Sequence, residues 1–256
     1  MNTNSNSYTI IYASVMVIIV AFLLAFVSSS LKPIQDANVA IDKKSQILSS
    51  LNIRGLEKSE IESKYDAVIV GDQIIKADGA VVNDGAAKDE AAFVLDSKEV
   101  NENNMPLYVA NVDGATKYVI PVTGRGLWGG LWGYIALNDD CKTVFGAYMS
   151  HESETAGLGA LLVETWFQER FLGKNLFKEN TDEVALTVVK AGAVKDEAIE
   201  VDGLTGATLT TNGIAAMVQE GLQKYIGFIN TKTAVQQGAC EEVPCCEEQA
   251  CEKTEE

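Results

Sequence analysis

From Tyr8 to Val27 the chain reads YTIIYASVMVIIVAFLLAFV, 20 residues without a charge. An α-helix needs about 20 apolar residues to cross the hydrocarbon core of a bilayer. The run is too long for the apolar core of a secretory leader, and no Lys or Arg precedes it. Residues 1–30 are therefore expected to form an uncleaved transmembrane anchor. Its small residues Ala13, Ser14, Ala21 and Ala25 allow close approach to other membrane helices, so membrane partners are expected. Lys32, the nearest basic residue, lies on the C-terminal side and by the positive-inside rule favours a cytoplasmic domain.

Beyond the anchor, Ile34, Val39, Ile41, Ile47, Leu48 and Leu51 recur at helical spacing, which predicts a stalk helix after Pro33. The stretch 72–104 is rich in Asp, Gly, Ala and Asn without clear periodicity, and is expected to hold loops and short strands. Residues 31–105 thus form a stalk and a variable α/β region. LYVANV, KYVIPV, LWGYIAL and TVFGAYM, separated by Gly, Asn and Asp turns, predict antiparallel strands. Leu158 to Phe171 suits one amphipathic helix closed by Gly173. Glu183 to Lys190 reads as a strand. A last helix should bury Ile214, Met217, Val218, Leu222 and Ile226 on one face. The expected fold is α+β, with a folded domain over residues 106–230. Residues 231–256 read as an acidic, cysteine-rich tail too polar to order itself.

A formal net charge of -16, with no stripe of Lys and Arg, argues against binding a phosphate backbone. His151 is the only histidine, which leaves two-histidine metal sites and serine triads without support. Cys240, Cys245, Cys246 and Cys251 are weak metal candidates, because C-x4-C-C-x4-C matches no common zinc spacing.

The chemistry concentrates in DGLTGATLT, Asp202 to Thr210. Gly203 and Gly206 allow a tight turn and the approach of a bulky group. The N-terminus of the helix that follows favours a phosphate, beside which Thr208 would present a hydroxyl. Asp202 could hold a metal ion or orient the loop. By spacing alone Thr205 or Thr208 reads first as a helix cap that satisfies the free N–H groups of the first turn.

The segment resembles the target motif of flavin transferases, Asp-x-x-Ser/Thr-Gly-Ala-Thr, matched by Asp202, Thr205, Gly206, Ala207 and Thr208. In that motif the final threonine accepts FMN from FAD as a phosphoester, which implies Thr208 here. Gly124-Arg125-Gly126-Leu127-Trp128-Gly129 and the Glu-Thr-x-Gly-Leu-Gly turn, Glu154, Thr155, Gly157, Leu158 and Gly159, are similar to the same flavin-binding family. There Ala156 stands where the family usually has proline. The resemblance implies flavin contacts from Trp128, from that turn and from Thr210, with Lys174 near the phosphate.

With the anchor, these segments resemble the C-subunit family of the sodium-translocating NADH:quinone oxidoreductase over nearly the whole chain. The likeness is weakest in residues 72–104 and absent from the tail. It implies covalent FMN in an FMN-binding domain, electron relay among other membrane subunits, maturation by a flavin transferase, and a bacterial inner-membrane location. It also places the domain on the outer side, against the hint from Lys32. Two alternatives are the G-subunit family of the related ion-translocating electron transport complex and a cofactor-free, membrane-tethered assembly domain.

Overall fold

The computed structural model describes residues 6–85, 89–95, 99–178, 181 and 183–241. Anchor and stalk are one helix, α1, Asn6–Ser50, long and apolar enough at its start to cross a membrane. Pro33 lies inside it, where a break between anchor and stalk was expected. Proline removes only one helical hydrogen bond, and the helix runs on. Its described residues are almost all exposed as far as Val39. From Lys44 onward it docks, burying Ile47 and Leu48.

A second helix, α2, Lys58–Val68, leads into the sheet. Its strands are β1 (Ile69–Ile75), β2 (Val81–Asn83), β3 (Met105–Val112), β4 (Ala115–Arg125), β5 (Gly130–Leu137) and β6 (Val144–His151). The order is β2-β1-β3-β4-β5-β6, and every neighbouring pair is antiparallel. The four strands read from the sequence are β3 to β6.

Both faces of this sheet are covered, so side chains alternate between two cores with the period of two that a strand imposes. Ile120, Val122, Leu131, Ile135 and Leu137 point toward one, and Val119, Tyr134 and Ala136 toward the other. The second core is closed by Ile47 and Leu48 of α1, by Leu51 just after it, and by Ile61, Tyr65 and Val68 of α2. The first is closed by α4, Thr208–Gln223, through Ile214, Met217, Val218 and Leu222. Each such buried side chain contributes about 1.5–3 kcal/mol.

Glycines set how closely α4 lies on the sheet. A Cβ on Gly213 would stand 2.4 Å from the Arg125 carbonyl oxygen, and one on Gly221 would stand 2.6 Å from Val122 Cγ1. From the sheet side, a Cβ on Gly124 would stand 2.6 Å from Met217 Cβ. Helix and strand touch almost backbone to backbone.

The expected helix over 158–171 is instead three short pieces: a 3-10 turn Gly159–Val163, α3 (Thr165–Gln168) and a second 3-10 turn Glu169–Phe171. The break falls at Glu164, which is extended at φ -69°, ψ 138°. Buried Gln168 explains it. Its amide donates to the carbonyls of Leu162, Val163 and Met149 at 3.3, 3.2 and 3.0 Å, taking acceptors a continuous helix would need. Its oxygen accepts from Arg54, which also holds the Ala147 carbonyl at 2.9 Å.

The strand expected at 183–190 shortens to β7, Thr187–Val189, which pairs in parallel with β8, Glu200–Asp202. The last helix divides near Lys224, and α5, Ile226–Glu241, carries the chain past residue 230. Residues 242–256, with Cys245, Cys246 and Cys251, lie outside the described residues, and the side chain of Cys240 is likewise not described.

Cys141 is fully buried in the core beneath α4, and burial pushes its thiol up to about 12. Only the thiolate is nucleophilic. Iodoacetamide at pH 8 should leave Cys141 unmodified in the native chain and alkylate it in urea, as peptide mass mapping will read; native alkylation would contradict its burial.

Candidate functional site

Three segments meet at one end of the sheet: the β4–β5 connection, the turn that leaves β6, and the N-terminus of α4. The β4–β5 connection closes with the Gly126 N–H donating to the Gly129 carbonyl at 2.9 Å. The turn after β6 begins with the Glu154 N–H donating to His151 Nδ1 at 3.1 Å. Thr155 accepts the N–H groups of Leu158 and Ala160 through its carbonyl at 3.1 Å each. Gly157 at the apex adopts φ +75°, which glycine reaches without the Cβ penalty.

Glu154 ties the three together. It is only 7% exposed. Its Oε1 accepts the Trp128 N–H at 3.0 Å, and its Oε2 accepts the Thr210 hydroxyl at 2.7 Å. Room for the carboxylate comes from Gly126 and Gly159, whose Cβ atoms would fall 2.3 and 2.6 Å from its oxygens. Burial alone raises the Glu154 pKa. The N–H groups of Trp128 and Leu127, the Thr210 hydroxyl and the nearby His151 outweigh burial and hold it below the ordinary carboxylate range. Its role is therefore to fix the turn and α4 against the β4–β5 connection.

In the Asp202–Thr210 segment, Gly206 takes φ +78°, and Ala207, not a threonine, caps α4 without a side-chain bond. Thr210 and Thr211 are buried, the latter accepting the Leu204 N–H at 3.2 Å. Thr208 opens α4 exposed, and its hydroxyl makes no hydrogen bond among the described residues. Thr205 and Gly206 are exposed beside it. Leu158 lies against Gly206. Leu127, Trp128, Leu158 and Leu209, drawn from the three segments that meet here, are exposed, with Trp128 66% and Leu209 60% exposed. Four large apolar side chains left in water on segments that converge at one end of the sheet suit the surface of a ligand site.

Thus Trp128, Glu154, Thr155, Gly157, Leu158, Gly159, Thr205, Gly206, Ala207, Thr208 and Thr210 are brought together. Lys174 is not. The 159–173 segment runs back along β6, so that Gly173 and Lys174 bond Val144 at the strand's far end. That is roughly 23 Å from His151 at about 3.3 Å per residue, and the Lys174 ammonium holds the Glu197 carbonyl. The cation near the motif is Arg170, whose Nη1 donates to the Asp202 and Gly203 carbonyls at 2.8 and 3.2 Å and to Asp202 Oδ2 at 3.2 Å. Nothing in the sequence links Arg170 to a loop over thirty residues on; its only local mark is Trp166 one turn earlier, on which its guanidinium stacks at 4.8 Å. Asp202 Oδ1 accepts the Gly192 N–H at 2.7 Å, so both carboxylate oxygens are engaged in orienting the loop. Among the described residues no group of three or more His, Cys, Asp or Glu could hold a metal ion.

Residues 126–223, which span the whole site, match the family profile of the FMN-binding domain. Over 229 residues the chain is 33% identical to NqrC, the C-subunit of the Na(+)-translocating NADH-quinone reductase, of Haemophilus ducreyi, covering 83% of this chain and 88% of that protein. The chain belongs to the NqrC family. The Pseudomonas aeruginosa NqrC is 29% identical over 87% of this chain and 94% of its own length. The crystal structure of the Parabacteroides distasonis NqrC matches with TM-score 0.71 and 37% identity, covering 78% of this chain and 96% of that one. The Shewanella oneidensis NqrC structure shares the fold at TM-score 0.65 and 22% identity over 77% of this chain and 99% of its own. As a member of the NqrC family, the chain is a component of an oxidoreductase complex and contains an FMN-binding domain.

Proposed function

We propose that this NqrC-family chain carries FMN esterified through its phosphate to Thr208 and relays electrons within a membrane-bound, sodium-translocating NADH-quinone reductase. The observation that carries the reading is the Thr208 hydroxyl, exposed on the first turn of α4 without a hydrogen-bond partner among the described residues, on a helix end where segments bearing exposed apolar side chains meet. The N-terminus of α4 favours the phosphate through its unpaired N–H groups and dipole. Trp128, Leu127, Leu158 and Leu209 suit an aromatic ring system laid over them. When bound, FMN supplies the redox chemistry. The protein's own residues position it: Glu154 locks Thr210, and with it the helix that bears Thr208, to the Trp128 backbone.

Helix α1 anchors the domain, which stands on the outer side of the membrane, where a flavin transferase attaches the cofactor. Other membrane subunits donate and accept the electrons and move the ion, since the uncharged run of α1 offers no ionisable path across the bilayer.

The test is the intact mass of the denatured full chain from cells co-expressing a flavin transferase. The expected result is an addition of about 440 Da, the mass of FMN less the water lost on forming the ester, which disappears in Thr208→Ala. A bare mass in both chains, with the transferase active on another target, would remove the reading and favour a cofactor-free assembly domain.

A further inference from the structure

We infer that Arg170 is the positioning residue that holds the flavin-acceptor loop in the conformation a transferase can use. The inference rests on the Thr208 reading. Position by position, the loop is pinned on either side of its exposed part. Upstream, one Arg170 nitrogen reaches the carbonyls of Asp202 and Gly203 and the Asp202 carboxylate. Asp202 is held from its other oxygen by Gly192, and Leu204 is held by Thr211. Downstream, Thr210 is fixed by buried Glu154. Between these pins only Thr205, Gly206, Thr208 and Leu209 are exposed. An ordinary surface ion pair contributes little because two long side chains must be ordered for one contact. Arg170 differs in that stacking on Trp166 at 4.8 Å already restricts its guanidinium, and two of its three acceptors are backbone oxygens of the loop itself. Arginine suits this because its planar guanidinium can stack on the Trp166 ring while one nitrogen donates to the loop, whereas lysine offers a mobile point charge.

The step it serves is phosphoryl transfer without change of oxidation state. The Thr208 oxygen forms a bond to the flavin-side phosphorus of FAD as the pyrophosphate bond to AMP breaks. AMP departs, and the hydroxyl proton passes to a base of the transferase. An acceptor displaced by about 1 Å can lose on the order of 100-fold in rate, so an unpinned loop should show mainly in kcat.

The experiment is in vitro transfer from FAD to the full chain in detergent by a purified flavin transferase, with kcat and KM for the chain read from flavin fluorescence. Arg170→Ala is expected to lower kcat about 10-fold or more with KM little changed, and Arg170→Lys to recover only part of it. A merely destabilised chain would shrink the competent fraction, raising the apparent KM and sparing kcat. Either a KM-only effect or wild-type kinetics in a folded Arg170→Ala chain would overturn the inference. Should that variant fail to fold by circular dichroism, Arg170→Lys decides: a kcat equal to wild type overturns the inference, and a reduced one supports it. Thr208→Ala separates the two readings. If wild type itself takes no flavin while the transferase modifies a control protein, Thr208 is not the acceptor and the assignment to Arg170 falls with it.

Discussion

Glu154→Ala should cost about 3–5 kcal/mol of stability at neutral pH, a large share of the ~5–15 kcal/mol that holds a typical domain together. Truncation strands the buried Thr210 hydroxyl and the part-buried Trp128 N–H, and empties the space that Gly126 and Gly159 leave for the carboxylate. Each unpaired buried group costs about 1–3 kcal/mol. Glu154→Gln should be milder, about 1–2 kcal/mol, because its amide can still accept from Trp128 while the Thr210 hydroxyl turns to accept from the new NH2. The pH dependence follows from the lowered carboxyl pKa. Its stabilisation is complete above the unfolded glutamate value of about 4.3 and is lost as pH falls through the lower, folded value. Urea melts at pH 7 and pH 3 should show the gap between wild type and Glu154→Ala narrowing in acid. A gap of equal size at both would mean that the ionised form is not what holds the site.

For Gly213→Ala, two effects of opposite sign compete. Within α4, exchanging glycine for alanine gains about 1 kcal/mol of helix propensity. Against this, the new methyl would stand 2.4 Å from the Arg125 carbonyl, a backbone atom that cannot swing aside as a flexible side chain does. Overpacking of this kind costs about 1–3 kcal/mol and sometimes more; with Gly124 and Gly221 already at contact distance, the helix has little room to slide. We expect a net loss of about 1–2 kcal/mol and, on the proposed attachment at Thr208, a lower fraction of flavin-bearing chain, since moving α4 moves that residue. Gly192→Ala is the control: φ is +76° but nothing lies within 4 Å, so only the roughly 1–2 kcal/mol cost of left-handed backbone applies. A Gly213→Ala chain as stable as wild type by urea midpoint would show that helix and sheet are not in the close contact described.

What the sequence made legible was what local pattern controls. Alternation and turn residues gave β3 to β6, and the spacing of Ile214, Met217, Val218 and Leu222 gave the buried face of α4. Most residues of the candidate site could be singled out in the sequence because each sits in a short glycine-bearing motif. Features decided by partners far along the chain were not. The helical periodicity of 158–171 is real, yet Gln168 takes the carbonyls of Leu162 and Val163 and breaks the helix. Lys174 carries the right charge close to the right motif, but the chain's return along β6 removes it and brings Arg170 to Asp202 instead. Pro33 signals a boundary by local rules, and α1 passes through it.

That unbroken passage makes the facing of the flavin site a matter of helical phase. Between Val27, where the apolar run gives way to serines, and Ala40, where α1 ceases to be exposed, lie thirteen steps of one helix. At about 1.5 Å per residue this is a rigid post of roughly 20 Å. A tilt of about 20°, common for membrane helices, swings the domain sideways by roughly 7 Å without disturbing any contact inside it. One inserted residue would raise the domain only about 1.5 Å but turn it by about 100° around the post. Seven inserted residues, close to two full turns, would leave it facing nearly where it began. Evolution can therefore change the height of such a site in steps of a heptad far more freely than in steps of one.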